Sequence, residues 1–276
     1  MKKLVSILSL LTIVLTSCSG SDDSGEQVEL LNFPRKTIDY YQDSGSTIGS
    51  RTGTFQYNGD KLNEIFYNAA QKKVFTYTGD LITKVEFYEA SVVRYIENFN
   101  YSNGKLSSYD KFDLLTNRNE SIAYTHQSDG TVTYQKLIYS TSVSNPTETI
   151  TGTLFFQNGN LVKDDYVYTF NNSSTNEINY VERLFQYDSK INPYKNIKGF
   201  SLLLPWVNEM NINNLILDYS YVDAFMNGVL FSSYVVAKEF DLQYDERQFP
   251  IRFDYYTNED LGGNTLYLTR ITNVEY

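Results

Sequence analysis

The stretch TGTFQYNGDKLNEIFYN, Thr52 to Asn68, is followed shortly by a near copy, KVFTYTGDLITKVEFYE, Lys73 to Glu89. Each reads as a strand, a tight turn and a second strand. Set on its central aromatic, the pattern recurs at Tyr57, Tyr77, Tyr101, Phe156, Tyr187 and Tyr244. Two residues earlier stand Phe55, Phe75, Phe99, Leu154, Phe185 and Leu242. A period of two puts both side chains on one face of a strand. Turn formers follow, such as Asn58-Gly59-Asp60 and Asn103-Gly104, and these accept the positive φ a tight hairpin needs. Five residues after the aromatic an apolar residue returns: Leu62, Ile82, Leu106, Leu161 and Phe249. The fifth copy breaks this rule, with Asn192 there and Ile191 one earlier. A further, degenerate hairpin is IAYTHQSDGTVTYQKLIY, Ile122 to Tyr139, turning at Ser128-Asp129-Gly130.

Anchor spacing varies from 20 to 57 residues, which argues against a strict solenoid. The expectation is an all-β antiparallel meander of repeated hairpins, forming a curved or rolled sheet of roughly 14 to 18 strands. One stretch interrupts the pattern: GFSLLLPWVNEMNINN, Gly199 to Asn214. Leu203, Val207 and Met210 share one helical face, and Pro205 suits only a helix start. A short helix near residues 205–211 is expected, placed to plug one end of the sheet. Strands resume at Asn214 to Val222 and at Gly228 to Tyr244, the latter broken near Ser232-Ser233.

The chain's beginning is basic, Met1-Lys2-Lys3, then apolar from Leu4 to Leu15. That run is too short for a bilayer span of roughly 20 residues, and it reads as a secretory signal over 1–17. The sequence LTSC, Leu15 to Cys18, resembles the lipobox of bacterial lipoproteins. The resemblance implies lipidation of Cys18, the only cysteine, and cleavage just before it. Residues 18–27 are small, polar and acidic and read as a flexible tether. Asp22 and Asp23 resemble the surface-export signal of Bacteroidetes lipoproteins. A single all-β hairpin-repeat domain is expected over 28–276.

The hairpins resemble the tyrosine-aspartate (YD) repeats of Rhs-type bacterial surface proteins, through FQYNGDKLNEI and FTYTGDLITKV. The chain as a whole resembles repeat-bearing lipoproteins of unknown function from Flavobacterium-like Bacteroidetes, with a shared element like FQYDSKINPYKNIKGF, Phe185 to Phe200. The resemblance implies an outer-membrane, lipid-anchored protein, with the cell surface favoured over the periplasmic face. It carries no catalytic residue.

Composition narrows the chemistry. With 33 acidic against 23 basic residues the chain carries −10, which repels nucleic-acid phosphates. His126 is the only histidine and lies mid-hairpin, so nucleophilic triads and zinc sites lack their parts. Asp164-Asp165 is the one adjacent acidic pair placed on a strand, and strand neighbours point to opposite faces. Asp245-Glu246, Glu259-Asp260 and the loop Asp260 to Asn264 fall in turns. No catalytic residue, metal site or cofactor is expected. The reading is a non-enzymatic envelope protein with a binding or scaffolding role and a protein or glycan partner. A surface glycan-binding protein and a two-carboxylate hydrolase are the alternatives.

Overall fold

The structure is a computed structural model that describes residues 33–43, 45–140, 145–171, 174, 176–258 and 266–276. The expected signal peptide, Cys18, the tether with Asp22 and Asp23, Glu259-Asp260 and the glycine-rich loop lie outside the described residues. The strands are β1 Lys36–Asp43, β2 Ser46–Asn58, β3 Lys61–Asn68, β4 Gln71–Thr78, β5 Leu81–Glu89, β6 Val92–Ser102, β7 Lys105–Asp113 and β8 Arg118–His126. They continue as β9 Val132–Tyr139, β10 Glu148–Gln157, β11 Asn160–Phe170, β12 Glu177–Ile191, β13 Asn213–Met226, β14 Val229–Tyr244, β15 Pro250–Thr257 and β16 Tyr267–Glu275. Every strand pairs antiparallel with its sequence neighbours, and β16 pairs with β1 from Lys36↔Glu275 to Tyr41↔Arg270.

This closure overturns the expectation of a curved or rolled sheet of repeats. The molecule is a closed 16-strand barrel. The reason lies in the repeat itself. Tyr57 pairs with Leu62 but Gln56 pairs with Glu64, leaving Asn63 as the extra residue of a β-bulge. Thr83, Ser107, Val162 and Ile251 are the extra residues at the matching place in four more hairpins. A bulge bends its strand and increases the local twist. Further bulges stand at the opposite end, at Ile48, Tyr67, Arg94, Phe231 and Thr269. Repeated around the ring, they coil the sheet until its first and last strands meet, and closure removes exposed edges. The turns fit: Asn103-Gly104 has φ 51° and 74°, and Asn158-Gly159 has 52° and 78°, as two-residue hairpins require. β14 runs unbroken through Ser232-Ser233; a bulge at Phe231 is the only irregularity in its pairing with β13.

The anchor side chains stitch hairpin to hairpin. Pairing between β5 and β6 stops at Lys84↔Asn98, and Tyr101 on β6 donates its hydroxyl to the Ile82 carbonyl beyond it, at 2.8 Å. Tyr187 reaches the Leu161 carbonyl at 2.6 Å where β11–β12 pairing ends at Lys163↔Leu184. The Leu62 N–H donates to the Tyr77 hydroxyl at 3.1 Å past Glu64↔Val74. The His126 ring Nε2 meets the Leu106 carbonyl at 2.8 Å, past Ser108↔Ala123. The single histidine is therefore a further copy of the anchor, with Tyr124 two residues before it.

Phe75 and Phe99 are buried, and Phe55, Tyr57, Tyr77 and Tyr101 pack on the same cluster. They share it with Leu62, Ile82, Val85 and Leu106, so the repeated aromatics line the barrel's inside. Residues one place over face outward and form ion pairs: Lys72–Glu64 at 2.9 Å, Lys84–Glu86 at 3.0 Å, and Lys163 to Asp165 and Glu182 at 2.9 and 2.8 Å.

Candidate functional site: the plugged lumen

Between β12 and β13 the chain leaves the wall. It forms a 3-10 turn, Phe200–Leu202, and a one-turn helix α1, Val207–Met210. The segment starts half-way round the ring from β4, and it reaches the strands opposite by passing into the lumen. Phe200 lies 6.0 Å from Phe75, and Trp206 lies 6.0 Å from Phe75 and 6.2 Å from Phe99, ring centre to ring centre. Ile197, Phe200 and Leu203 join the cluster of β3 to β8, while Met210 joins a second cluster with Val132, Leu154, Leu161, Phe185 and Leu215. One segment thus ties both halves of the wall together from within.

Polar contacts fix both ends of this plug. At its entry the Lys198 N–H donates to the Asp60 carbonyl at 2.9 Å, and the Tyr77 hydroxyl donates to the Lys198 carbonyl at 3.4 Å. Gly199 follows with φ 81°, its Cα so close to Asp80 and Ile82 that a methyl group would sit 3.1 Å from each. At the exit Asn160 accepts from the Ile212 and Asn213 N–H groups, and Asn211 accepts from the Leu161 N–H at 2.7 Å. Gly159, φ 78°, lies against Ile212; an added methyl would be 2.2 Å from that side chain.

Above the plug is a cavity of about 590 Å³, a size that suits a small molecule. Its wall is charged. Arg51, Lys73, Arg183 and Arg270 line it, with Asp39 and Glu209 as carboxylates. Arg183 is neutralised by a two-point pair with Asp218, at 2.7 and 2.5 Å. Asp39 accepts the Thr272 hydroxyl at 2.5 Å. The other three cations lie over rings: the Arg51 guanidinium 3.5 Å from the Tyr67 centre, Lys73 5.0 Å from Trp206, and Arg270 5.4 Å from Tyr255. Burial raises the Glu209 pKa above the usual carboxylate range, and Lys73 and Arg270 only partly offset this.

Asp164 and Asp165 do face opposite ways. Asp164 points inward to the Tyr134 hydroxyl, and Asp165 outward to Lys163. Asp245 caps its own turn, accepting the Arg247 and Phe249 N–H groups at 2.9 Å. Among the described residues no group of three or more His, Cys, Asp or Glu is placed to hold a metal ion. The cavity's cations were missed in the sequence because no two of them share a strand. Their only signal was a charged residue at an inward position of the period-two pattern, such as Lys73 two before Phe75.

Fold and site together define a closed antiparallel barrel, plugged by its own chain, with a charged chamber in its lumen. No family model matches the sequence, and no curated protein matches it either. Among solved structures the chain is similar to a porin-like protein from Bacteroides vulgatus, at 16% identity and a TM-score of 0.58, over 89% of this chain and 98% of that one. A porin-like protein from Bacteroides uniformis aligns at 10% identity and a TM-score of 0.48, over 88% and 96%. The first likeness shows the barrel fold.

Proposed function

We propose that the chain is a lipid-anchored protein of the outer membrane whose barrel stays in water and binds a small ligand in its lumen, without catalysis. The polarity of the two faces carries this reading. A barrel that spans a bilayer presents an apolar band about 25 Å tall to lipid and a polar interior. Here the outer wall carries Lys163, Asp165 and Glu182 in one ion-pair group, and Arg252–Asp254 at 2.7 Å in another. An Arg or Lys on a lipid face costs roughly 2–4 kcal/mol at mid-depth. The most exposed large apolar side chains, among them Ile48, Leu115, Val229 and Phe231, sit on hairpin tips at the end remote from the termini. They form no belt around the wall. The plug packs Phe200, Leu203 and Trp206 inside the lumen, beside the chamber.

The porin-like name of the Bacteroides vulgatus neighbour and the lipobox-like LTSC support an envelope location; attachment then falls to lipid on Cys18. The test is the chain from Ser19 in detergent-free buffer and against planar bilayers. A folded soluble barrel with no conductance supports the reading. Folding only in detergent, with ion conductance, overturns it. A second reading, glycan binding, is favoured by Tyr180 and Tyr221, which stand half-exposed over an outer-wall groove beside Asp165, Glu182 and Asp223. Sugar binding lost in a Tyr180→Ala, Tyr221→Ala double variant would favour it.

A further inference from the structure

We infer that the lumen chamber is a site for a small organic anion, a carboxylate or a phosphate, held by Arg51 and Arg270 with Lys73. The inference rests on the reading of the lumen as a binding site and names its ligand class.

Charge balance is the first argument. The chain as a whole is acidic, yet cations gather on one arc of the chamber, on β2, β4 and β16. Among the described residues none of the three forms an ion pair. Asp39 stands across from Arg51 in the β1–β2 register but is engaged by Thr272 instead. Glu209 lies near Lys73 and Arg270 and is, with Asp39, one of the two carboxylates lining the chamber against these three cations. The positive charge on this arc is therefore under-compensated.

Unmet hydrogen-bond capacity is the second argument. The Nε–H groups of both Arg51 and Arg270 are buried and have no acceptor among the described residues. A buried donor without a partner costs free energy that a bound acceptor would recover. Guanidinium groups are planar forks, and stacking each on a tyrosine ring presents the fork edge-on to a ligand. Arg51 stands opposite Asp39 on one side of β1 and Arg270 opposite Tyr41 on the other, so two strand spacings and two residues of rise put their backbones roughly 12 Å apart. That gap accommodates one anion bridging the two, or a ligand with an acidic group at each end. Lys73 over Trp206 supplies a third positive charge beside the plug.

Trp206 is the only tryptophan and lines the chamber, so its fluorescence reports occupancy directly. The test titrates the full chain, in detergent micelles, with citrate and with inorganic phosphate as probes. A neutral oligosaccharide and choline serve as controls, and calorimetry runs in parallel. Saturable binding of at least one anion is expected. Arg51→Gln and Arg270→Gln should each weaken it roughly tenfold or more, the loss of a charge-assisted hydrogen bond. Lys163→Gln on the outer wall should leave it unchanged. Arg51→Lys, which keeps charge but loses the fork, should fall between, and guards against a variant that simply unfolds. Citrate without phosphate, or the reverse, assigns the acidic group. No saturable binding of either anion, or affinity unchanged in both arginine variants, overturns the proposal. Binding of the oligosaccharide but of neither anion overturns the anionic class while the lumen stays the binding site. Binding of choline alone overturns it too.

Discussion

His126 and Leu106 are joined by a hydrogen bond of 2.8 Å from a ring nitrogen to a backbone carbonyl oxygen. A carbonyl only accepts, so Nε2 carries the proton. The contact occupies the place that Tyr101 takes toward Ile82 and Tyr187 toward Leu161. The position of the histidine is explained by the architecture of the wall.

This makes a prediction about His126. Replacing it with alanine leaves the Leu106 carbonyl without its side-chain partner and should cost about 1 kcal/mol, the net worth of one such bond. Replacing it with tyrosine restores the repeat and should cost little or nothing. Urea unfolding of both variants checks it. Equal loss in His126→Tyr and His126→Ala would refute the equivalence of His126 with the tyrosines.

How far the sequence disclosed this fold can be argued from the same residues. Phe55 and Tyr57, Phe75 and Tyr77 announce an inward face because a period of two repeats and turns follow. Closure was not legible. The contact between β1 and β16 joins Lys36 to Glu275, and no local pattern speaks for a pairing between opposite ends of a chain. The bulges that produce closure were hidden because an extra residue such as Asn63 or Ser107 breaks the alternation without marking itself. The plug was visible as the Leu203–Trp206 apolar cluster, since a barrel wall has no use for consecutive apolar residues around a proline. The chamber was not visible: an inward Arg51 or Arg270 looks like any other surface charge until the ring is closed around it.

The close approach of Gly159 to Ile212 predicts a paired effect. Gly159→Ala forces a methyl group against Ile212 and places alanine at φ 78°. Strain of this kind costs on the order of 1–3 kcal/mol, with a similar penalty for the overlap. Adding Ile212→Ala should relieve the overlap and leave the backbone penalty. A double-mutant cycle in urea should therefore show a coupling of at least roughly 0.5 kcal/mol. Strict additivity would mean the plug's exit is not held as described.

Asp164 predicts a pH dependence. Burial raises its pKa to about 6, with the Tyr134 hydrogen bond and Arg183 opposing. An acid whose folded pKa lies above its unfolded value, near 3.9, binds its proton more tightly in the folded state. Its contribution to stability is then fullest at low pH, declines as pH rises from about 4 to about 6, and levels off above. The size is roughly 2–3 kcal/mol. Asp164→Asn should remove this term, so the variant should gain stability over the parent at about pH 7 and lose the gain at about pH 4. Denaturant midpoints at the two pH values measure it. A constant difference between the proteins would refute the shift.

The last prediction concerns what holds the protein to its membrane. Two attachments are conceivable, a lipid on Cys18 or the barrel wall itself, and they separate under one substitution. The wall argues for the first. Its outward charges are paired with each other, as in Lys72–Glu64 and Lys163–Glu182, an arrangement suited to water. Several acyl chains on one cysteine would anchor firmly, because stable attachment takes more than one chain. Cys18→Ser in the producing cell should then abolish lipidation and release the barrel, folded, into the soluble fraction once the signal is removed, or leave an uncleaved precursor held only by residues 1–17. Carbonate extraction of membranes from both strains, followed by protease resistance of the barrel as the measure of folding, decides the matter. A Cys18→Ser protein that remains with extracted membranes after cleavage of its signal would show that the wall meets lipid. The water-facing barrel would then have to be given up.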